Sequence, residues 1–201
     1  MATISKTQGT AILAHTAITH PDTVKGSATD VSTKLAATII CFHASVEAAA
    51  NTNGGKFLVQ VSGASAGDED WATVAEFTAQ ATTADTEAMT ATEPVGETVL
   101  ACASTTGFVA NDLLYIAHTT LASSEWARCQ EIVTNTSVNL IDGLTTEQTA
   151  ATSVIWNDAE VFTCQLDLTA VGRVRVVFQH EGATGANCHV KALMVTGDSI
   201  A

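Results

Sequence analysis

The residues able to do chemistry in this chain of 201 residues are few and scattered. Asp68, Glu69 and Asp70 form an acidic loop within "GASAGDEDW" that could offer carboxylate oxygens to a divalent cation. Hard cations need six or more oxygens converging from several places, and the run lacks the alternating spacing of a calcium-binding loop, so a solvated loop is expected there. The histidines His15, His20, His43, His118, His180 and His189 include no pair at the spacing that places two imidazoles on one helix face, and no Cys-x-x-Cys occurs. Cys41 and His43 stand two apart on one strand face, the spacing at which an imidazole could activate a thiol, although such pairs more often pack in a core. "GASAG" at 63 to 67 lacks the spacing and the downstream acid of a nucleotide-binding fingerprint. These patterns predict no enzyme, no cofactor and no metal centre.

Trp71, Trp126 and Trp156 could anchor a contact, because a tryptophan ring supplies large area and one polar handle. Trp71 and Trp156 read as core. Trp126 begins its strand directly after a polar loop in "SSEWARC" and is the candidate interface residue of the three.

Composition narrows the partners. Eight Lys and Arg stand against 21 Asp and Glu, a formal net charge of −13, which repels phosphate backbones and anionic lipid and excludes nucleic acid and membrane as expected partners. The apolar run "LAATIICF" is far short of the roughly 20 residues that cross a bilayer as a helix. The first residues lack the basic segment and unbroken apolar core of a secretory signal. Cys41, Cys102, Cys129, Cys164 and Cys188 are odd in number, widely spread and embedded in apolar runs, so buried free thiols formed in a reducing cytoplasm are expected.

The elements that must position these residues are strands. Side chains alternate in "GKFLVQVSG" (Phe57, Val59, Val61), "WATVAEFTA" (Trp71, Thr73, Ala75, Phe77), "VFTCQLDLT" (Phe162, Cys164, Leu166, Leu168) and "GRVRVVFQH" (Val174, Val176, Phe178). The opposite face of the last, Arg173, Arg175 and Gln179, is expected to be wetted. "KLAATIICFHASVE" fits helical spacing as well, and its β-branched and aromatic content favours a strand. Asn53 and Gly54 predict a hairpin into the Phe57 strand, and "GATG" at 182 to 185 predicts a C-terminal hairpin with "CHVKALMV". Residues 79 to 95, Ala/Thr-rich and acidic, read as a linker or an exposed strand edge. After them, "ETVLACAS", "NDLLYIAH", "EWARCQEIV" and "SVNLIDGL" give four short strands punctuated by Gly107, Asn111, Asn135 and Gly143.

The run "VLACASTTGFVANDLLYIA", followed by "SEWARCQEIV" and "TSVNLIDGL", resembles a small β-domain recurrent in virion proteins of tailed bacteriophages, over about 45 residues. "LTAVGRVRVVFQHEGATGANCHV" is similar to the closing strands of phage structural sandwiches. The resemblance implies a virion protein and leaves open whether it sits on the capsid or on the tail; the reading favoured is a capsid decoration or head-stabilising subunit made in the host cytoplasm, whose partners are copies of itself and other virion proteins, the major capsid protein among them. A tail, neck or fibre-associated subunit and a carbohydrate-binding adhesin module are the alternatives.

The fold expected is all-β: an antiparallel, jelly-roll-like β-sandwich over 31–95 and 151–201, an inserted small β-barrel-like module over 96–150, and an extended N-terminal arm over 1–30. The arm is polar and Thr-rich, so its few aliphatic residues, Ile4, Ile12, Leu13 and Ile18, join Trp126 as interface candidates. Deleting residues 1 to 20 is then expected to weaken assembly more than it lowers the melting temperature.

Overall fold

The computed structural model describes residues 9–19, 21–46, 54–68, 70–79, 85–181 and 187–198. A sandwich is built from β1 (Thr10–Thr19), β2 (Thr23–Lys25), β3 (Thr29–Asp30), β4 (Lys34–Ser45), β5 (Gly55–Ser62) and β6 (Ala72–Ala79). An inserted module supplies β7 (Thr86–Ala88), β8 (Val99–Ala101), β9 (Leu113–His118), β10 (Glu125–Val133), β11 (Ser137–Leu140) and β12 (Ser153–Trp156). The chain then returns to the sandwich as β13 (Ala159–Asp167), β14 (Arg173–His180) and β15 (Asn187–Asp198).

One sandwich sheet runs β1-β15-β4-β13 and the other β2-β14-β5-β6, with β3 also on β14. If β2 and β3 are taken as two pieces of one strand, the sandwich strands in chain order are eight. The first then pairs with the last, the second with the seventh, the third with the sixth and the fourth with the fifth, every pair antiparallel. That nesting is a long two-stranded ribbon rolled across two sheets, the jelly roll. Ile39, Cys41, Val190 and Met194 from one sheet meet Phe57, Val59, Val174, Val176 and Phe178 from the other in a single apolar core. β4 is a strand because it is bonded on both sides, to β13 and β15, and buries Ala37, Ile39, Cys41 and His43 on one face.

The rolled topology overturns both predicted hairpins. β4 and β5 lie in opposite sheets, and so do β14 and β15. The connections after β4 and β14 therefore carry the chain across the sandwich, and among the described sandwich strands only β5 and β6 pair as chain neighbours. Asn53 and residues 182–186 fall outside the described residues.

The N-terminal arm is also corrected where it is described. β1 pairs with β15 from Thr10 to Thr19, and Ile12, Leu13 and Ile18 are 1%, 2% and 4% exposed in the sandwich core. They are core residues, not interface residues. Their partners sit near the opposite end of the sequence, so nothing local announces the burial. Ile4 lies outside the described residues.

Of the expected wetted face of β14, Gln179 is exposed, whereas Arg173 and Arg175 are covered. Arg173 donates through Nε to the Ala64 carbonyl at 2.7 Å and through Nη2 to the Ala66 carbonyl at 3.1 Å. Arg175 donates to Gln60 Oε1 at 2.8 Å and pairs with Asp68. The Trp71 ring lies over both guanidinium groups, 5.0 Å and 4.1 Å from its centroid, a cation–π stack that draws the β5–β6 loop down onto the sheet.

The module's sheet runs β7-β12-β9-β10-β11-β8. A bridge between Met89 and Cys102, with the Thr90 N–H donated to the Ala101 carbonyl at 2.8 Å, draws its two edges together. The sheet curls round a second core of Leu100, Leu114, Ile116, Cys129, Val138, Leu140 and Ile155. Its strands reach from Thr86 to Trp156, beyond the expected boundaries at 96 and 150, because part of the Ala/Thr-rich run becomes edge strand β7 on β12. Gly107 has a φ of +85°, and a Cβ there would fall 1.9 Å from Asp85 Oδ2, so this turn admits only glycine.

Candidate interaction surface

Most of the sequence's chemical candidates are spent on structure. Cys41 and His43 are fully buried. Burial and the nearby Cys164 push the Cys41 thiol up to about 12, while burial, with His180 and His189 nearby, lowers His43 to about 3. Near neutral pH the pair is a neutral thiol and a neutral imidazole, without a thiolate nucleophile. His43 stacks on Phe178 with centroids 5.8 Å apart, and its Nδ1 is 3.7 Å from Glu160 Oε2.

Asp68 of the acidic loop is held below the ordinary carboxylate range by its hydrogen bond and charge pairing with Arg175. Glu69 lies outside the described residues. Among the described residues no group of three or more His, Cys, Asp or Glu could hold a metal ion. "GASAG" also has the Gly-x-Ser-x-Gly lettering of a nucleophile elbow, which the sequence reading missed. It forms the loop between two antiparallel strands, not a strand-to-helix turn, and its Ala64 and Ala66 carbonyls are taken by Arg173.

The residues that converge are on the outer face of the β1-β15-β4-β13 sheet. Side chains alternate, so while Cys188, Val190 and Ala192 of β15 point into the sandwich, His189 and Lys191 point out. The inserted barrel sits on that outer face. Tyr115 of β9, the chain's single tyrosine, is fully buried, with its hydroxyl 3.0 Å from His15 Nε2 and 2.8 Å from His189 Nδ1. Trp126 packs against His15 and Tyr115, each at 4.8 Å between centroids, and against Phe42 at 5.6 Å. Its indole N–H donates to the His43 carbonyl at 3.3 Å. Trp126 thus serves a contact within the chain, between barrel and sandwich.

Burial sets the electrostatics of this seam. His15 is lowered to about 4 by burial first, then by His189 and Lys191; His189 is lowered to about 4 by burial; burial raises Tyr115. Both imidazoles are neutral near pH 7, so each has one donor and one acceptor nitrogen, and the tyrosine hydroxyl can donate to one ring while accepting from the N–H of the other. Tyr115→Phe removes the bridge with little change in volume. It is expected to cost about 1–3 kcal/mol in urea unfolding, the range for leaving buried polar groups unpartnered. Sequence reasoning missed Tyr115, His15 and His189 as a set because they come from three strands, one of them 100 residues from the first.

Beyond the module, none of the described residues covers the same face. A groove of about 650 Å³ runs along it, lined by Leu35, Ala36, Thr38, Gln165, Val195 and Gly197 among others, and Asp167 is the single ionisable side chain in its lining. Leu35 is 47% and Val161 38% exposed on or near this face. Seam and groove form one continuous surface, half covered by the chain's own module.

No family model and no curated protein matches the sequence. Among solved structures, the chain is similar to VP17, a capsid protein of bacteriophage P23-77, with a TM-score of 0.21 and 9% identity over 98% of this chain and 100% of that one. It is also similar to the infectious bursal disease virus VP2 subviral particle, with a TM-score of 0.23 and 8% identity over 98% of this chain and 42% of that one. Likeness at this level carries no weight, and the fold rests on the strand pairing itself.

Proposed function

We propose that this chain is a non-enzymatic structural subunit of a virion, a capsid-decorating or head-stabilising protein that associates with copies of itself and with shell protein. The observation that carries the reading is the complete eight-strand jelly-roll pairing with one outer sheet face left half bare. Jelly rolls of this kind recur in viral capsids and in lectins. A lectin that stacks its sugar needs an aromatic ring with a free face. Here Trp126 is packed between His15 and Tyr115, and Trp71 lies against two arginines. The five free cysteines suit synthesis in a reducing cytoplasm.

The bare half of the outer face is the contact assigned to a neighbouring copy. A chain of net charge −13 repels its copies, so association requires a surface where charge is sparse, and this groove has one ionisable lining residue. A stable contact removes about 1,200–2,000 Å² from water, and shell symmetry repeats it. Leu35→Glu places a charge in the groove at an exposed position, so stability should change by no more than about 0.5 kcal/mol. Sedimentation of the purified chain and electron microscopy of particles that contain it test the reading. The expected results are an associating wild type located on the shell and a Leu35→Glu variant that stays monomeric. A wild type that is monomeric at every concentration and absent from particles refutes it, and location on a tail moves the subunit there.

A further inference from the structure

We propose that the seam between barrel and sandwich is an acid-released clasp, in which protonation of His15 and His189 about the Tyr115 hydroxyl frees the inserted module from the outer face of the sheet. The geometry that carries this is compact. Two imidazoles, 5.5 Å apart between centroids, share one buried hydroxyl as their hydrogen-bond partner. Once both are protonated, each ring presents donors only, and two positive charges face each other beside a buried ring.

The surroundings offer little to neutralise them. Lys191 of β15 adds a third positive charge near His15. From β10, Glu125 lines the same cavity as His15 and Lys191, but its carboxylate already accepts from Thr145, Thr146 and Gln148. On the sandwich side of β4, His43 faces Glu160 of β13 and lies near His180 of β14. Tyr115 of β9 stays neutral, because burial raises it.

The sign follows from linkage. The closed seam holds both histidines neutral to about pH 4, whereas free imidazole protonates near 6.5. As pH falls from neutrality through 6.5 toward 4, the open form takes up protons that the closed form refuses, so opening becomes progressively favoured. Above the free value the seam is at full strength. The covalent links from β6 to β7 and from β12 to β13 keep the released module attached.

Tryptophan fluorescence and hydrogen–deuterium exchange on the full chain, the latter corrected for its intrinsic pH dependence, test this at about pH 7 and about pH 5. The expected result is a shift in tryptophan emission as Trp126 is exposed, with protection retained in β4 and β14 and in the module's own ladder of β9 and β10. The double variant His15→Gln, His189→Gln should lose that response. His15→Gln alone, the milder change, should keep about half of the pH dependence, one of the two protons having been removed. The proposal is overturned by an unchanged tryptophan emission at the lower pH, or by an undiminished response in the variants. Simultaneous loss of protection in β4 and β14 also overturns it, since that pattern would assign the acid response to His43 and global unfolding.

Discussion

A chain lacking residues 1–20 is expected not to fold. Residues 10–19 are β1, and removing them strips the edge of one sandwich sheet and uncovers β15 along seven paired positions. Ile12, Leu13 and Ile18 leave the core with it. Each fully buried aliphatic side chain contributes roughly 1.5–3 kcal/mol, so the three together reach about 5–9 kcal/mol, comparable with the whole stability of about 5–15 kcal/mol of an ordinary domain. His15 departs as well, and the seam loses one of its two imidazoles. Circular dichroism and urea titration should show no cooperative transition. A truncated chain that unfolds cooperatively within a few degrees of the full-length protein would refute the assignment of β1 to the core. This reverses the result expected of a peripheral arm, for which assembly would fail and the isolated subunit would remain stable.

Gly26→Ala is the second large effect, and it depends on where the two sheets close upon each other. Gly26 lies between β2 and β3 and donates its N–H to the Val176 carbonyl at 2.8 Å. A Cβ there would fall 2.0 Å from the Ile12 carbonyl oxygen and 3.0 Å from the Val176 carbonyl oxygen. Both obstacles are backbone, one from each sheet, so no rotamer relieves the clash and the sheet edges must part. The expected loss is at least the roughly 1–3 kcal/mol of an overpacked core, because the obstacles are backbone atoms. Gly63→Ala is the control, because its nearest neighbour would be 3.9 Å away, and it should change stability by no more than about 0.5 kcal/mol. Equal midpoints for the two variants in denaturant would show that the strand edges are not in contact at Gly26.

Much of the local structure was legible in the sequence. Phe57, Val59 and Val61 alternate, as do Val174, Val176 and Phe178, and period two gives both the strand and the face it buries. The strands of "NDLLYIAH", "EWARCQEIV" and "SVNLIDGL" follow from the same alternation and from turn residues such as Asn111 and Asn135, whose φ values of 74° and 51° few other side chains accept. The disulfide-free thiols, four buried and Cys164 half-buried, the negative charge and the all-β class were equally a matter of residue type and spacing.

Pairing was not legible, because alternation tells a strand which face to bury and says nothing about which strand it will meet. A glycine turn looks the same whether the chain folds back on its neighbour or crosses to the opposite sheet; here it crosses after β4 and after β14. The burial of Ile12 and Leu13 is settled by residues 192 and 193, and that of Arg173 and Arg175 by Trp71 and the loop it anchors. The seam is of the same kind: His15, Tyr115 and His189 each read as an ordinary strand residue, and only rolling the first strand beside the last and seating the module on them brings one hydroxyl between two imidazoles. Composition and period determined the strands and their inward faces, while contacts between distant segments, which depend on closing long loops and filling a shared core, decided the sheets, the edges and the surface left open.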